Sequence, residues 1–143
     1  MINKGTIIIT LTGIGCLILN FNHFLMGSPA TILNLIATLA YITIWIFVLI
    51  NSVKIKNGKA LIVYTIFWIL TLFFSIHMGY VNVTEVHADW AIPYVILLIT
   101  PWYGIRIFVD SFVIVSIIIA SFSAVMLTVI AVSFVKMKKV RTN

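Results

Sequence analysis

Three long stretches of this chain contain no Asp, Glu, Lys or Arg, and they constrain its fold more than any other feature. They are residues 31–50, 60–80 and 111–135. A helix crosses the hydrocarbon core of a bilayer in about 20 apolar residues, a length that each stretch reaches. Hydrophobic residues make up 63% of the 143 and charged residues 8%, whereas a soluble domain is roughly half apolar and a quarter charged. The sequence therefore predicts an all-α integral membrane protein.

The amino-terminal segment, residues 5–26, is a weaker candidate for a membrane-spanning helix. It reaches spanning length only by including three polar residues at its far end, Asn20, Asn22 and His23. We expect these residues to lie at the membrane edge or to be shielded by neighbouring helices. The alternative is a cleaved signal peptide, with Lys4 as its basic end and residues 28–30 as the cleavage site.

The charges predict how the segments are oriented. Lys4, the linker at 51–59 and the tail at 136–143 carry every Lys and Arg except Arg106, and all three acidic residues lie on the side of Arg106. Because basic residues near helix ends stay in the cytoplasm, both termini are predicted to be inside. These flanks suit anionic lipid headgroups, not nucleic acid.

The predicted fold is a four-helix bundle that forms a single transmembrane domain over residues 1–143. Its helices are predicted at about residues 5–26, 31–50, 60–80 and 111–135. High Ile, Phe, Asn and Lys usage is typical of small bacterial membrane proteins. We therefore expect a multi-pass protein of the bacterial cell membrane, with the lipid bilayer around it.

The apolar stretch at 91–109 does not fit a simple bundle, because it contains Pro93 and Pro101, and proline ends or kinks a helix. The preferred prediction is a segment that either re-enters the outer leaflet or lies at the outer interface, where Trp102 suits the headgroup level. A fifth span is the alternative. Arg106 and Asp110 are four residues apart, so on a helix they would pair.

Small and polar residues at helical spacing predict the faces by which the helices pack. Two stretches share a 4-3-4 spacing, with Asn34, Thr38, Tyr41 and Trp45 in one and Tyr64, Trp68, Thr71 and Ser75 in the other. The last stretch carries residues four apart, Ser116, Ala120 and Ala124. The short linker predicts that the second and third helices form an antiparallel pair, with Asn34 near Ser75. Packing within the chain explains these faces, and a pathway or a partner-binding groove is the alternative.

The outer side carries the residues with the most chemistry. Glu85, His87 and Asp89 alternate along the linker after residue 80, and His77 precedes it. Imidazole and carboxylate groups ligate divalent metals, so these four residues are weak candidates for a metal site. No spacing matches a zinc motif, and the simpler expectation is a hydrated turn with no metal.

No catalytic motif is visible, neither a nucleophile elbow, nor a His-Glu-x-x-His pair, nor a glycine-rich phosphate loop. We therefore expect a protein that is not an enzyme and has no cofactor. The first hypothesis is an accessory, regulatory or immunity-type subunit that binds another membrane protein or a second copy of itself. The alternative is a small oligomeric channel, a holin-like pore or a transporter, and a membrane-embedded enzyme that uses the outer His and Glu residues is third.

Overall fold

The computed structural model describes the backbone of residues 4–142 and the side chains of residues 4–137. Within that part the prediction of an all-helical chain is confirmed, since no strand occurs there. The α-helices are α1 (Lys4–Met26), α2 (Ile32–Lys54), α3 (Gly58–Thr84), α4 (Ile92–Ile99) and α5 (Phe112–Thr142). Two 3-10 helices, Asp89–Ala91 and Thr100–Ile107, flank α4.

Five helical segments of the described chain are long and apolar enough to cross a membrane, which is compatible with a multi-pass membrane protein. They are Lys4–Met26, Ile32–Lys54, Gly58–Thr84, Asp89–Ile107 and Phe112–Met137. The fourth, Asp89–Ile107, consists of α4 and its two 3-10 flanks and is called the proline segment below. Its prolines do not interrupt it, because Pro93 and Pro101 each lie in the first turn of a helical piece, where no N–H is needed.

The bundle has polar residues inside and large apolar residues outside. Ile18, Phe47 and Leu97 are each at least 60% exposed, whereas Asn20 and Asn34 are at most 1% exposed. A protein surrounded by water places these residue types the other way round. The arrangement suits a chain surrounded by lipid, whose helices associate through buried polar and small residues.

The helix ends divide the bundle into two ends of different charge. One end, called the acidic end, holds the junctions α1–α2, α3–α4 and the start of α5, together with Glu85, Asp89 and Asp110. The other, called the basic end, holds the α2–α3 turn and its lysines. Thr31 and Asn34 form a reciprocal capping box at the start of α2.

The helices pack as two antiparallel pairs, α1 with α2 and α3 with α5. A Cβ atom added to Gly79 of α3 would lie 3.3 Å from Cβ of Ser116, so the end of α3 and the start of α5 are closely packed. The pairs meet toward the basic end, where the ring centroids of Trp45 and Trp68 are 5.0 Å apart. Toward the acidic end the proline segment lies between them.

Both ends of the proline segment lie at the acidic end of the bundle. At its start, the ring centroid of Trp90 is 5.1 Å from that of His77, near the end of α3. At its end, Cζ of the Arg106 guanidinium is 4.2 Å from the ring centroid of Phe112, at the start of α5. Between these two ends, the side chain of Trp102 lies inside the bundle and is 1% exposed. The segment therefore descends into the bundle and returns to the same end.

Gly104 allows the returning part of the proline segment to touch the backbone of α2. A Cβ atom at this position would overlap the Asn34 carbonyl group and would lie 2.6 Å from Cα of Leu35. These are backbone atoms, which cannot move aside as a flexible side chain can. A side chain at residue 104 is therefore incompatible with the observed contact.

We expect Gly104→Ala to lower the stability of the folded chain by about 1–3 kcal/mol, the usual cost of overpacking a well-packed interior. The measurement is the midpoint of thermal unfolding of the purified protein in mild detergent. The control is Gly15→Ala in α1, where an added Cβ has no neighbour within 4 Å. Equal unfolding midpoints for the two variants would contradict the close contact.

Candidate functional site

The deepest polar contacts of the proline segment are made by its backbone. The Pro101 carbonyl oxygen accepts a 2.8 Å hydrogen bond from Thr38 Oγ1 of α2. From α1 it accepts two longer hydrogen bonds, each 3.3 Å, from Cys16 Sγ and Asn20 Nδ2. Asn20 Nδ2 also donates to the Thr100 carbonyl oxygen over 3.2 Å. These groups form what we call the buried junction, in which two helices satisfy the carbonyls of a third element.

Thr38 both donates and accepts in the buried junction. Its hydroxyl oxygen accepts a 3.0 Å hydrogen bond from the Gly104 N–H, in addition to donating to the Pro101 carbonyl. Residues 101 and 104 are the two ends of one 3-10 turn, so the hydroxyl bridges that turn. Thr38 is completely buried, and no solvent competes for these bonds.

A pair of asparagines extends the junction toward the acidic end. Asn34 Nδ2 donates to Asn20 Oδ1 over 2.9 Å and to the Leu19 carbonyl over 3.2 Å. Asn34 Oδ1 accepts from the N–H and the hydroxyl of Thr31, over 2.8 and 2.6 Å. The Asn34 side-chain amide is thus fully hydrogen-bonded, and it links Thr31 at the start of α2 to Leu19 and Asn20 of α1.

Aromatic rings pack beneath the junction. The Trp102 ring has three aromatic neighbours, with centroids at 5.2 Å for Phe122, 6.0 Å for Tyr41 and 6.3 Å for Trp68. The indole nitrogens of Trp45, Trp68 and Trp102 are all buried without a hydrogen-bond partner. The contacts around Trp102 join α2, α3, α5 and the proline segment, and they fill the middle of the bundle.

Arg106 is enclosed where the proline segment returns to the acidic end. Its side chain is 10% exposed, and its guanidinium lies over the Phe112 and Tyr103 rings at 4.2 and 5.3 Å. It donates to the Tyr103 hydroxyl, which donates to the Ser28 carbonyl. Arg106 Nη2 is 3.3 Å from Oδ1 of Asp110, whose side chain is fully exposed. The pair predicted from the i, i+4 spacing is present, but aromatic contacts surround the cation.

The acidic end also contains an open groove of about 400 Å³. Its walls come from the ends of α1 and α3, the linker before α4, α4 itself and the start of α5. Most of the lining is apolar and includes Phe24, Met78, Val95 and Phe112. The polar residues that line it are His77, Asn82, His87 and Asp89. A groove of this volume can accommodate part of a separate molecule.

Three of the four weak metal candidates line this groove, but they do not converge. No group of three or more His, Cys, Asp or Glu side chains within the described part of the chain is close enough to hold a metal ion. Glu85 ends α3 in a left-handed conformation, with φ of 55°, and it does not line the groove. His77 stacks on Phe73, with ring centroids 6.2 Å apart, and its Nε2 is buried without a partner.

The two predicted 4-3-4 faces both lie in the interior. Their eight members are all buried, namely Asn34, Thr38, Tyr41, Trp45, Tyr64, Trp68, Thr71 and Ser75. Toward the acidic end no hydrogen bond joins Asn34 to Ser75. Asn34 bonds to α1 and to its own cap, whereas the Ser75 hydroxyl donates to the Leu72 carbonyl of its own helix. The proline segment contacts α2 at this level, where Gly104 lies against the Asn34 carbonyl group.

The predicted face of α5 turns gradually away from α3. Ser116 is buried, Ala120 is half-buried and Ala124 is exposed. The buried positions of α5 instead follow alternating steps of four and three, at Ile119, Ser123, Met126, Ile130 and Ser133. A row with steps of four drifts around a 3.6-residue helix, so it cannot follow one neighbour along its length. Ala124 instead belongs to a small-residue row exposed on the outer surface of α5, which is Ser121, Ala124, Thr128 and Ala131.

Sequence reasoning did not assign roles to Cys16 and Gly104. Cys16 contacts the proline segment and Gly104 belongs to it, so the roles of both residues depend on where that segment lies. Asn20 was expected at the membrane edge or shielded by neighbouring helices, and it is completely buried beside α2 and the proline segment. The sequence signal for this contact is the Asn20 amide at the end of an apolar run, because a buried amide needs a hydrogen-bond partner.

Comparisons of this chain with protein-family models, with curated proteins and with solved structures find no match. The roles of its residues therefore rest on their contacts. Those contacts give a filled interior held by the buried junction, and a groove at the acidic end.

We expect Thr38→Val to destabilise the chain by about 1–3 kcal/mol, because it leaves the Gly104 N–H buried without its acceptor. Thermal unfolding in mild detergent measures the change. Thr128→Val is the matched control, since Thr128 is exposed and bonds only the Ala124 carbonyl of its own helix. A Thr38→Val protein as stable as the control would show that the junction does not hold the proline segment.

Proposed function

We propose that the chain is a non-enzymatic protein of the bacterial cell membrane that acts as an accessory, regulatory or immunity-type subunit through a membrane partner. In this proposal α1, α2, α3 and α5 span the membrane, both termini are cytoplasmic, and the acidic end faces outward. The proline segment is a re-entrant element of the outer half of the bilayer. Every Lys and Arg except Arg106 then lies in or beside the cytoplasm, as the positive-inside rule requires.

The re-entrant assignment is supported by the contacts of the proline segment. Non-helical or broken backbone at membrane depth is tolerated where protein encloses it. Thr100, Pro101 and Gly104 are buried against α1 and α2. The carbonyls of Thr100 and Pro101 accept hydrogen bonds there, and the Gly104 N–H donates one. An interfacial helix would instead place Trp102 at the headgroup level, whereas this ring is 1% exposed and packs on Trp68.

The observation that carries the accessory function is that the hydrogen-bonding groups of the buried junction are committed to one another. The donors of Cys16, Asn20 and Thr38 are all used by the chain's own carbonyls. Trp102 and its aromatic neighbours fill the space below them. A single copy with such an interior suits action by surface contact better than conduction or catalysis.

The surface best suited to a partner helix is the outer face of α5. Its exposed row consists of small residues, whereas the exposed positions of α3 include Ile62, Ile66 and Phe73. Small side chains allow close approach between membrane helices. The same face would serve a second copy of the chain. An oligomeric channel, pore or transporter is therefore the second candidate, with any path lying between copies.

Introduced cysteines test the topology in a Cys16→Ser background. We expect His87→Cys and Asp110→Cys to react with a membrane-impermeant maleimide in intact cells, because the re-entrant assignment puts both ends of the proline segment outside. Lys59→Cys should react only after permeabilisation. Five spans would instead put residues 87 and 110 on opposite sides, and that result would overturn the assignment.

Affinity capture tests the accessory function. Tagged chain extracted in mild detergent should retain a membrane protein in fixed stoichiometry. Ala124→Leu should reduce that yield by about tenfold, the effect of adding bulk to a close helix contact. Ala40→Leu, at an exposed position of α2, should leave the yield unchanged. Capture of a second copy alone, together with solute flux in reconstituted vesicles, would favour the pore, whereas recovery of the chain alone without flux would contradict both.

A further inference from the structure

The groove at the acidic end is open to the surroundings of the helices as well as to the end of the bundle. Leu25 and Ile92 line it, and they are 53% and 50% exposed. At its other edge Asn82, His87 and Asp89 are exposed at the helix ends. In a membrane the groove therefore extends from hydrocarbon to the polar interface. This placement needs only that the bundle spans the bilayer, and it is the same for either orientation.

The size and lining of the groove suit one flexible apolar chain. Its volume of about 400 Å³ is at the small end of ligand cavities, which hold roughly 300–1,000 Å³. Phe24, Val95 and Phe112 provide apolar walls from three different helices. Because the apolar lining continues into the lipid-facing surface, a chain from the bilayer enters without crossing water.

The polar residues of the groove carry both kinds of hydrogen-bonding chemistry. His87 carries an imidazole that can donate a hydrogen bond, Asp89 carries a carboxylate, and the Asn82 amide donates to the Met78 carbonyl of its own helix over 2.8 Å. His77 also lines the groove, and its Nε2 is buried without a partner. A buried polar atom without a partner is unfavourable. A headgroup with a phosphate and an ammonium complements this set better than one with a single negative charge.

We propose that this groove binds one acyl chain of a phospholipid with a zwitterionic, phosphoethanolamine-type headgroup. The chain lies along the walls formed by α1, α4 and α5, and the headgroup lies against His77, His87 and Asp89. The proposal goes beyond the accessory function and does not depend on it. A bound lipid would make part of the outer contact surface of the protein.

The test uses the purified, delipidated protein in detergent micelles and native mass spectrometry. The probes are single-chain lysophosphatidylethanolamine, lysophosphatidylglycerol with the same chain, and free phosphoethanolamine. We expect a saturable one-to-one complex with the first probe, binding about tenfold weaker with the second, and none with the third. Non-saturable binding, or equal binding of the two lipids, would overturn the proposal.

Two variants locate the site. Ala88→Phe places bulk in the groove, because Ala88 is half-buried and lines it. It should weaken lysophosphatidylethanolamine binding by about tenfold, while Ala40→Phe on the surface of α2 should not. His77→Phe keeps a ring for stacking on Phe73 and Trp90 but removes the nitrogens, and it should reduce the preference between the two lipids. Unchanged binding in both groove variants would place the lipid elsewhere. Neither measurement involves a protein partner, so a failure of the lipid proposal would not contradict the proposed accessory function.

Discussion

A backbone carbonyl buried in an apolar interior must find a hydrogen-bond donor, and the structure depends on how Pro101 meets this requirement. Its carbonyl receives donors from α1 and α2, which fixes the depth of the proline segment and brings those helices together around it. Gly104 then meets the α2 backbone, and Trp102 meets the rings of α3 and α5. The two helix pairs, which meet directly at Trp45 and Trp68, are thereby also joined through a segment that both pairs contact.

Apolar length predicted α2, α3 and α5 from sequence, because an uncharged run of about 20 residues has few alternatives. Helical spacing placed Thr38 and Trp68 on interior faces, and both are buried. The same spacing could not identify their neighbours, since periodicity describes one helix and says nothing of what lies opposite. The path of the proline segment was therefore left open between interface and membrane interior. Its position depends on Gly104 and Asn20, whose significance lies in contacts with residues distant in sequence.

The two ends of the bundle differ in what they offer to other molecules. The basic end has the short α2–α3 turn and lysines, which suit contact with lipid headgroups. The acidic end has the groove, the enclosed Arg106 and the exposed carboxylates of Asp89 and Asp110. Since the junction and the rings fill the interior, the groove at the acidic end and the outer face of α5 are the surfaces to which we propose that other molecules bind.

The buried junction also has a consequence for how the chain is made. Synthesis proceeds from the amino terminus, so α1 and α2 are made before the proline segment exists. Asn20 and Asn34 hydrogen-bond each other directly, which ties this first hairpin together while the Thr38 hydroxyl still lacks its Pro101 carbonyl. This hairpin therefore carries the donors, Asn20 and Thr38, to which a later part of the same polypeptide binds. The Thr100 and Pro101 carbonyls obtain their side-chain donors only when the proline segment docks there, and α5, the last helix to be made, contacts that segment through Phe122 and Trp102.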